Sequence, residues 1–260
     1  MGMLSFLGLG SAELSPKQIE KIAKLASNPL AQPDVRKEQI QRLFRVGTPE
    51  AIRAALSRFA INASQAIADE EEKRTLVTDL VSLGQVAVEP LKDYLRKETA
   101  LTFAAQALVQ ILPHEQAVGE LLSVLDVYPP DDHRSDEQKR QIILLLSGED
   151  DARILPRLAP YLLDHSDDVR HHAIELFAAE ARKKNPLAAS EDVRRNFSEL
   201  LRDVNASPRI TRQAAEIVAE LEWQLPGASD TTPLSSFLSD EFFIDKKSFL
   251  RRRVKPSART

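Results

Sequence analysis

The chain contains no cysteine. That removes disulfides, thiolate nucleophiles and cysteine-ligated metals together, and it gives no reason to place the protein outside a reducing cytoplasm. Glycine is also scarce, with 8 residues in 260. No Gly-rich phosphate loop of the G-x-G-x-x-G or Walker type occurs, and no G-x-S-x-G nucleophile motif. Aromatic residues make up only 5%. No apolar run approaches the roughly 20 residues that a spanning helix needs. What remains is rich in Ala and Leu, with 43% hydrophobic and 28% charged residues. Ala and Leu cost least in a helix and glycine costs about 1 kcal/mol per interior position, so the composition favours a helical globular chain.

The first stretch, "MGMLSFLGLGSA", is apolar and uncharged. It lacks the basic start of a signal peptide, and Phe6 stands where a myristoylation motif needs Ser or Thr. Residues 1–14 are expected to form an apolar cap or frayed end, with a membrane-touching or partner-docking segment as the alternative. At the other end the charge changes sign. Seven Lys and Arg follow Asp245 without one acid, although the whole chain carries a net charge of -4. An acidic body therefore bears a basic tail.

Helix starts and stops are legible in between. Ser15-Pro16, Thr48-Pro49 and Ser207-Pro208 each place a capping hydroxyl before a proline at the first helical position. Ser15 and Gln18 make a capping box. Gly47, Gly84 and Gly148 each follow an apolar helical pattern and are expected to supply a left-handed terminating residue. Pro113, Asn185-Pro186 and Pro226-Gly227 continue the series at intervals of roughly 30–40 residues, which predicts repeated helical hairpins. The hairpins fall at 15–47, 48–84, 85–113, 114–148, 149–185 and 186–224.

The stretch "LLDHSDDVRHHAIELFAA" (162–179) sets a knot of charge between two helical faces. Ile154, Leu155, Leu158, Tyr161 and Leu162 form one face; Val169, Ala173, Leu176 and Phe177 form the other. Ser166 can cap the second helix, and Asp167 and Asp168 fall in its first turn, where the helix dipole favours negative charge. The knot, with Arg170, reads as a corner between helices. "AQPDVRKEQIQRLFRVG" (31–47) repeats the pattern with Val35 and Arg36. These two segments resemble HEAT repeats, in which an Asp-rich turn leads to a Val-Arg pair opening the inner helix. "VEPLKDYL" and "ILPRLAPYL" resemble the proline-bearing outer HEAT helix, whereas "DEEEKRTLVTDLVSLG" and "KETALTFAAQALVQILP" depart from the Val-Arg pattern. The resemblance implies an all-α superhelix of about six hairpins over residues 15–224. Its core is expected at Leu25, Val35, Leu43, Phe44, Ile52, Leu56, Phe59, Leu80, Leu91, Leu95, Phe103, Leu108, Leu144, Leu158, Leu162, Phe177, Ile217 and Leu221.

Chemistry is poorly supported. His165, His171 and His172 lie near Asp164, Asp167 and Asp168 in sequence. Adjacent helical positions diverge by about 100°, however, so His171 and His172 make a poor ligand pair, and a solvated surface is expected. His114 and His133 are isolated in sequence. The acidic runs "ADEEEKR" and "PPDDHRSDE" fall at turns and read as solvated. No catalytic residue, metal or cofactor is expected.

Solenoids of this type bind macromolecules on long curved faces. The expectation is a non-catalytic protein-interaction scaffold or adaptor in a bacterial cytoplasm, with an unidentified protein as partner. Contacts are expected at Lys37, Glu38, Gln41, His171, His172 and Glu175. Residues 225–236 read as a linker and 237–260 as a basic, aromatic tail. "EFFIDKKSFLRRR" fits either a short hairpin with Asp245 to Ser248 as a type I turn, which is favoured, or one amphipathic helical turn. Phe242, Phe243 and Phe249 are expected to dock near Trp223, leaving Lys246, Lys247, Arg251, Arg252 and Arg253 accessible. The alternative is a nucleic-acid-binding arm built on those cations. A HEAT-like glycosylase or bilin lyase is a further alternative that no residue specifically supports.

Overall fold

A computed structural model describes residues 14–229 and 231–253. Residues 1–13, which carry most of the expected apolar segment, lie outside the described residues. The chain is helical to Glu220 and ends in a two-stranded hairpin. It divides into two compact units, Met1–Val127 and Tyr128–Thr260.

The first unit holds α1 (Pro16–Ala26), α2 (Pro33–Val46), α3 (Pro49–Leu56), α4 (Ala66–Leu83), α5 (Val88–Leu95), α6 (Thr102–Ile111) and α7 (His114–Leu125). Here α3 packs on α1 and α5, α2 on α1 and α3, α6 on α5, and α4 along α6. The second unit holds α8 (Asp136–Leu146), α9 (Ile154–Leu158), α10 (Asp167–Arg182), α11 (Glu191–Leu200) and α12 (Pro208–Glu220), then β1 (Phe242–Ile244) and β2 (Leu250–Arg252). In it α10 packs on α8, on α12 and on the 3₁₀ turn Ala159–Leu163, while α11 packs on that turn and on α12.

The caps follow from the sequence. Thr48 Oγ1 accepts the Ala51 N–H and Ser207 Oγ accepts the Ile210 N–H. Gln18 reaches back to the Ser15 N–H at 2.8 Å. Ser166 occupies the N-cap position of α10 but makes no side-chain capping bond. Gly47 ends α2 in the left-handed conformation, at φ 71°. Gly148 does not follow the expectation, since its φ is not positive. Lys184 and Glu222 take positive φ instead and close α10 and α12, with Asn185 N–H on Glu180 O and Trp223 N–H on Val218 O. A helix can end on a non-glycine residue when these wrap-around bonds satisfy its last carbonyls.

A four-position stripe at i, i+3, i+4 and i+7 recurs on α2, α4, α8, α10 and α12 and, starting from its N-cap residue, on α6. It reads Arg36-Gln39-Ile40-Leu43, Lys73-Leu76-Val77-Leu80, Leu101-Ala104-Ala105-Leu108, Lys139-Ile142-Ile143-Leu146, Arg170-Ala173-Ile174-Phe177 and Thr211-Ala214-Ala215-Val218. All of these side chains are buried. This is the spacing of one helical face. Four of the six stripes open on a buried cation.

The expected core is buried at most positions, with exceptions. Leu25, Val35 and Leu144 are exposed, and Phe44, Phe103 and Leu221 are half-buried. Val35 stands where the buried Val169 stands in the fifth hairpin. The helix α10, which carries Val169, packs on both α8 and α12, whereas α2, which carries Val35, packs on α1 and α3. Leu144 lies on an open groove beside α10.

The tail is the hairpin. Phe242 pairs with Arg252, Phe243 with Arg251 and Ile244 with Leu250. The turn closes through Ser248 N–H on Asp245 O, with Ser248 at φ 66°. The described residues among 225–236 form no helix or strand but are packed: Leu225 and Ser235 are buried, and Ser235 N–H bonds Leu201 O.

Candidate functional site

The charged corners come first, because sequence reading singled one of them out. In the first unit Arg36 is buried and binds Glu72, with Nε 2.8 Å from Oε2. Its Nη1 bonds Ala31 O. The Arg36 guanidinium holds the Glu72 carboxyl below its ordinary range, against the opposing effect of burial. Arg58, fully buried, joins Glu72 and Asp69, and Lys73 Nζ stands 2.8 Å from both Asp69 Oδ2 and Asn62 Oδ1.

In the second unit Lys139 Nζ lies 2.7 Å from Asp164 Oδ2 and 3.1 Å from Asp132 O. Asp164 Oδ1 also accepts the Ser166 N–H. Arg170 Nη2 bonds Asp203 at 3.0 Å and its Nη1 lies 3.7 Å from Asp167. Arg36, Lys139 and Arg170 thus each reach a carboxylate further along the chain, Glu72, Asp164 and Asp203. Asp167 and Asp168 lie in the first turn of α10, where Asp168 also meets Arg209 at 3.1 Å.

Asp136, Asp164 and His165 bring three ligand atoms within 4.8 Å of one another. His165 Nε2 is 2.8 Å from Asp136, and its Nδ1 faces Pro130 O at 3.1 Å. The Lys139 ammonium lies 2.7 Å from Asp164 and 3.7 Å from Asp136, so this cluster already contains a cation of its own. His165 and Asp164 tie the 130–136 loop to the corner at 164 while Asp136 Oδ1 accepts no hydrogen bond, and the ammonium already set among these carboxylates makes the cluster a poor fit for a metal. Two sequence expectations need correction. His133 is not isolated, because its ring centroid lies 3.8 Å from that of His165. The rings of His171 and His172 do not diverge fully, since their centroids are 5.1 Å apart.

Of the six expected partner-binding residues, Lys37, His172 and Glu175 line two grooves, and Glu38, Gln41 and His171 do not. One runs between α2 and α4 and encloses about 240 Å³. Pro33, Ile40, Ala68 and Leu76 give it apolar surface, and Asp34, Lys37, Glu71 and Asp79 give it charge. Glu38 and Gln41 are exposed on α2 outside this lining. The other runs between α8 and α10 and encloses about 260 Å³. Ile143, Leu144, Leu176 and Ala179 line it together with His172, Glu175, Glu180 and Lys183. Burial, then the neighbouring charges of His171 and Arg140, push the His172 imidazole below its ordinary range and favour its neutral form. His171 turns toward α12, where its Nδ1 meets Gln213 Oε1 at 2.9 Å; Gln213 in turn donates to Glu175.

The tail cations are largely engaged. Arg251 meets Glu222 at 2.9 Å and Asp245 at 3.3 Å, and its guanidinium stands over the Phe249 ring at 5.1 Å. Arg252 stands over Phe242 at 5.6 Å and Arg253 over Phe243 at 5.3 Å. Arg253 also donates to Ser239 O. Lys246 and Lys247 are exposed at the turn. Phe242 is buried, Phe249 half-buried and Phe243 exposed, so the aromatic anchoring is carried chiefly by Phe242. Gln224 bridges to Phe249 directly beside Trp223, which is buried edge-on against Phe197.

Asp79 and the buried cations were missed in the sequence. A signal existed for the cations: Arg36, Lys73, Lys139 and Arg170 each sit in phase with the apolar stripe. Comparison with family models, curated proteins and solved structures returns no match.

Proposed function

We propose that this protein is a non-catalytic protein-interaction scaffold built on HEAT-like repeats. The observation that carries the reading is the recurrent stripe with its charged ties. Buried cations at corresponding positions, Arg36 and Arg170, bond carboxylates 36 and 33 residues further along the chain. The charge that might have served catalysis is thereby explained as the tie between one hairpin and the next. The accessible surface of the described residues includes two shallow grooves with apolar floors and charged rims. Their volumes, about 240 and 260 Å³, fall below the roughly 300–1,000 Å³ of small-molecule sites. Such grooves suit single side chains of a protein partner. Among the described residues no helix is long and apolar enough to cross a membrane. A cytoplasmic setting remains part of the proposal.

The test is capture from the native host with charge reversals at Glu38 and Glu175 and the circular dichroism spectrum as a control. Loss of a defined partner with an unchanged spectrum supports the scaffold. Retained capture by the folded variant moves the interface elsewhere.

A second reading, polyanion binding through the tail, is favoured by one observation, the exposure of Lys246 and Lys247 at the hairpin turn. It is weakened by the carboxylates already facing Arg251 and by the packing of β2 on α12.

A further inference from the structure

We propose that the groove between α2 and α4 receives a lysine or arginine side chain of a protein partner, its aliphatic stem over Ile40 and Leu76 and its cation against Asp79 and Glu71. This rests on the scaffold reading and names the partner's chemistry. The groove exists because α4 packs closely along α6 but not along α2. The link across the gap is the Arg36–Glu72 pair, which also neutralises Glu72. The remaining rim charges are Asp34, Glu71 and Asp79 against Lys37 alone, so the groove is acidic over an apolar floor.

A long cationic side chain complements both features, because its stem covers apolar surface while its head stays polar. An anionic or purely apolar side chain complements only one. Asp79 gives the second reason. It is half-buried and, among the described residues, forms no ion pair. Burial pushes its carboxyl above the ordinary range, opposed only by the charge of Lys37. A carboxylate left part-desolvated without a hydrogen-bonded partner is a poor structural element and a good receptor for a cation.

The probe is a capped Leu-Arg-Leu tripeptide added to the full chain, with the Ile40 and Leu76 methyl resonances followed by NMR. The same tripeptide with neutral citrulline in place of arginine is the control. Saturable shifts of both methyls are expected with the arginine peptide, and binding about tenfold weaker with citrulline, because a charge-assisted bond is lost. Asp79→Asn should weaken the arginine peptide by a similar factor without lowering the melting temperature. Lys37→Ala should tighten it by removing the competing cation. Equal binding of the two peptides, an unaffected Asp79→Asn variant, or no shift at either methyl overturns the proposal. In the last case, host capture that is still abolished by charge reversal at Glu175 shows that the scaffold reading survives and the groove assignment does not.

Discussion

Lys139 and Asp164 face each other at 2.7 Å with neither side chain exposed to solvent. The pair joins α8 to the corner that opens α10. Breaking it by removing one partner leaves a buried charge uncompensated, which costs about 3–5 kcal/mol, whereas replacing both by apolar groups of similar volume is often neutral. Lys139→Ala is therefore expected to destabilise by that amount, and Lys139→Met combined with Asp164→Leu to recover most of it. Chemical denaturation of the set checks this. A rise in melting temperature of the wild type on adding zinc or calcium would count against the reading of this cluster as purely structural.

The corner at residues 164–170 should behave as architecture. Asp167→Ala and Asp168→Ala each remove favourable charge from the N-terminus of α10, worth about 0.3–1 kcal/mol. Phe177 is fully buried, so Phe177→Ala should cost about 3–5 kcal/mol through the cavity it leaves. Thermal melts rank the three variants. Silent Asp variants that nonetheless abolish an activity contradict the corner reading.

The first unit carries a pH signature at Glu72. Its hydrogen bond from Arg36 holds the folded carboxyl below the ordinary value of 4.5. A depressed folded pKa adds stability above the unfolded value, and that stability is lost as pH falls through the folded pKa. Stability should therefore decline as the pH drops below 4.5, and Glu72→Gln should flatten that decline while lowering stability at neutral pH. Urea midpoints between pH 3 and pH 7 read both effects. An unchanged acid limb in the variant rejects the assignment.

Ending the chain after Gln224 removes the hairpin whose Phe249 bridges to Gln224 and whose Phe242 is buried. The melting temperature should fall, and Trp223 fluorescence should shift toward that of a wetter indole. A free arm predicts no change in either. It predicts instead salt-sensitive binding to DNA or RNA that disappears with the truncation.

How far the sequence carried this account depends on periodicity. Proline-led caps and in-phase apolar stripes made the helices and the hairpin spacing readable. The tail hairpin was readable from its turn residues and aromatic load. The buried cations were not, because composition treats Lys139 or Arg36 as solvated, and only their phase with Ile142 or Ile40 shows otherwise. Val35 and Leu144 failed for the complementary reason. Apolar periodicity says which side of a helix faces a neighbour, but not whether the neighbour covers the whole stripe. The groove at Asp79 was invisible, since it arises from how far apart α2 and α4 stand, a tertiary quantity that no local pattern encodes.

The scaffold claim is tested most directly by capture from the native host, comparing the wild type with a Glu38→Lys, Glu175→Lys double variant and with circular dichroism recorded on both. A defined protein partner held by the wild type and lost from the equally folded variant is the predicted result. Undiminished capture by the variant, or a turnover activity that the substitutions abolish, contradicts the account.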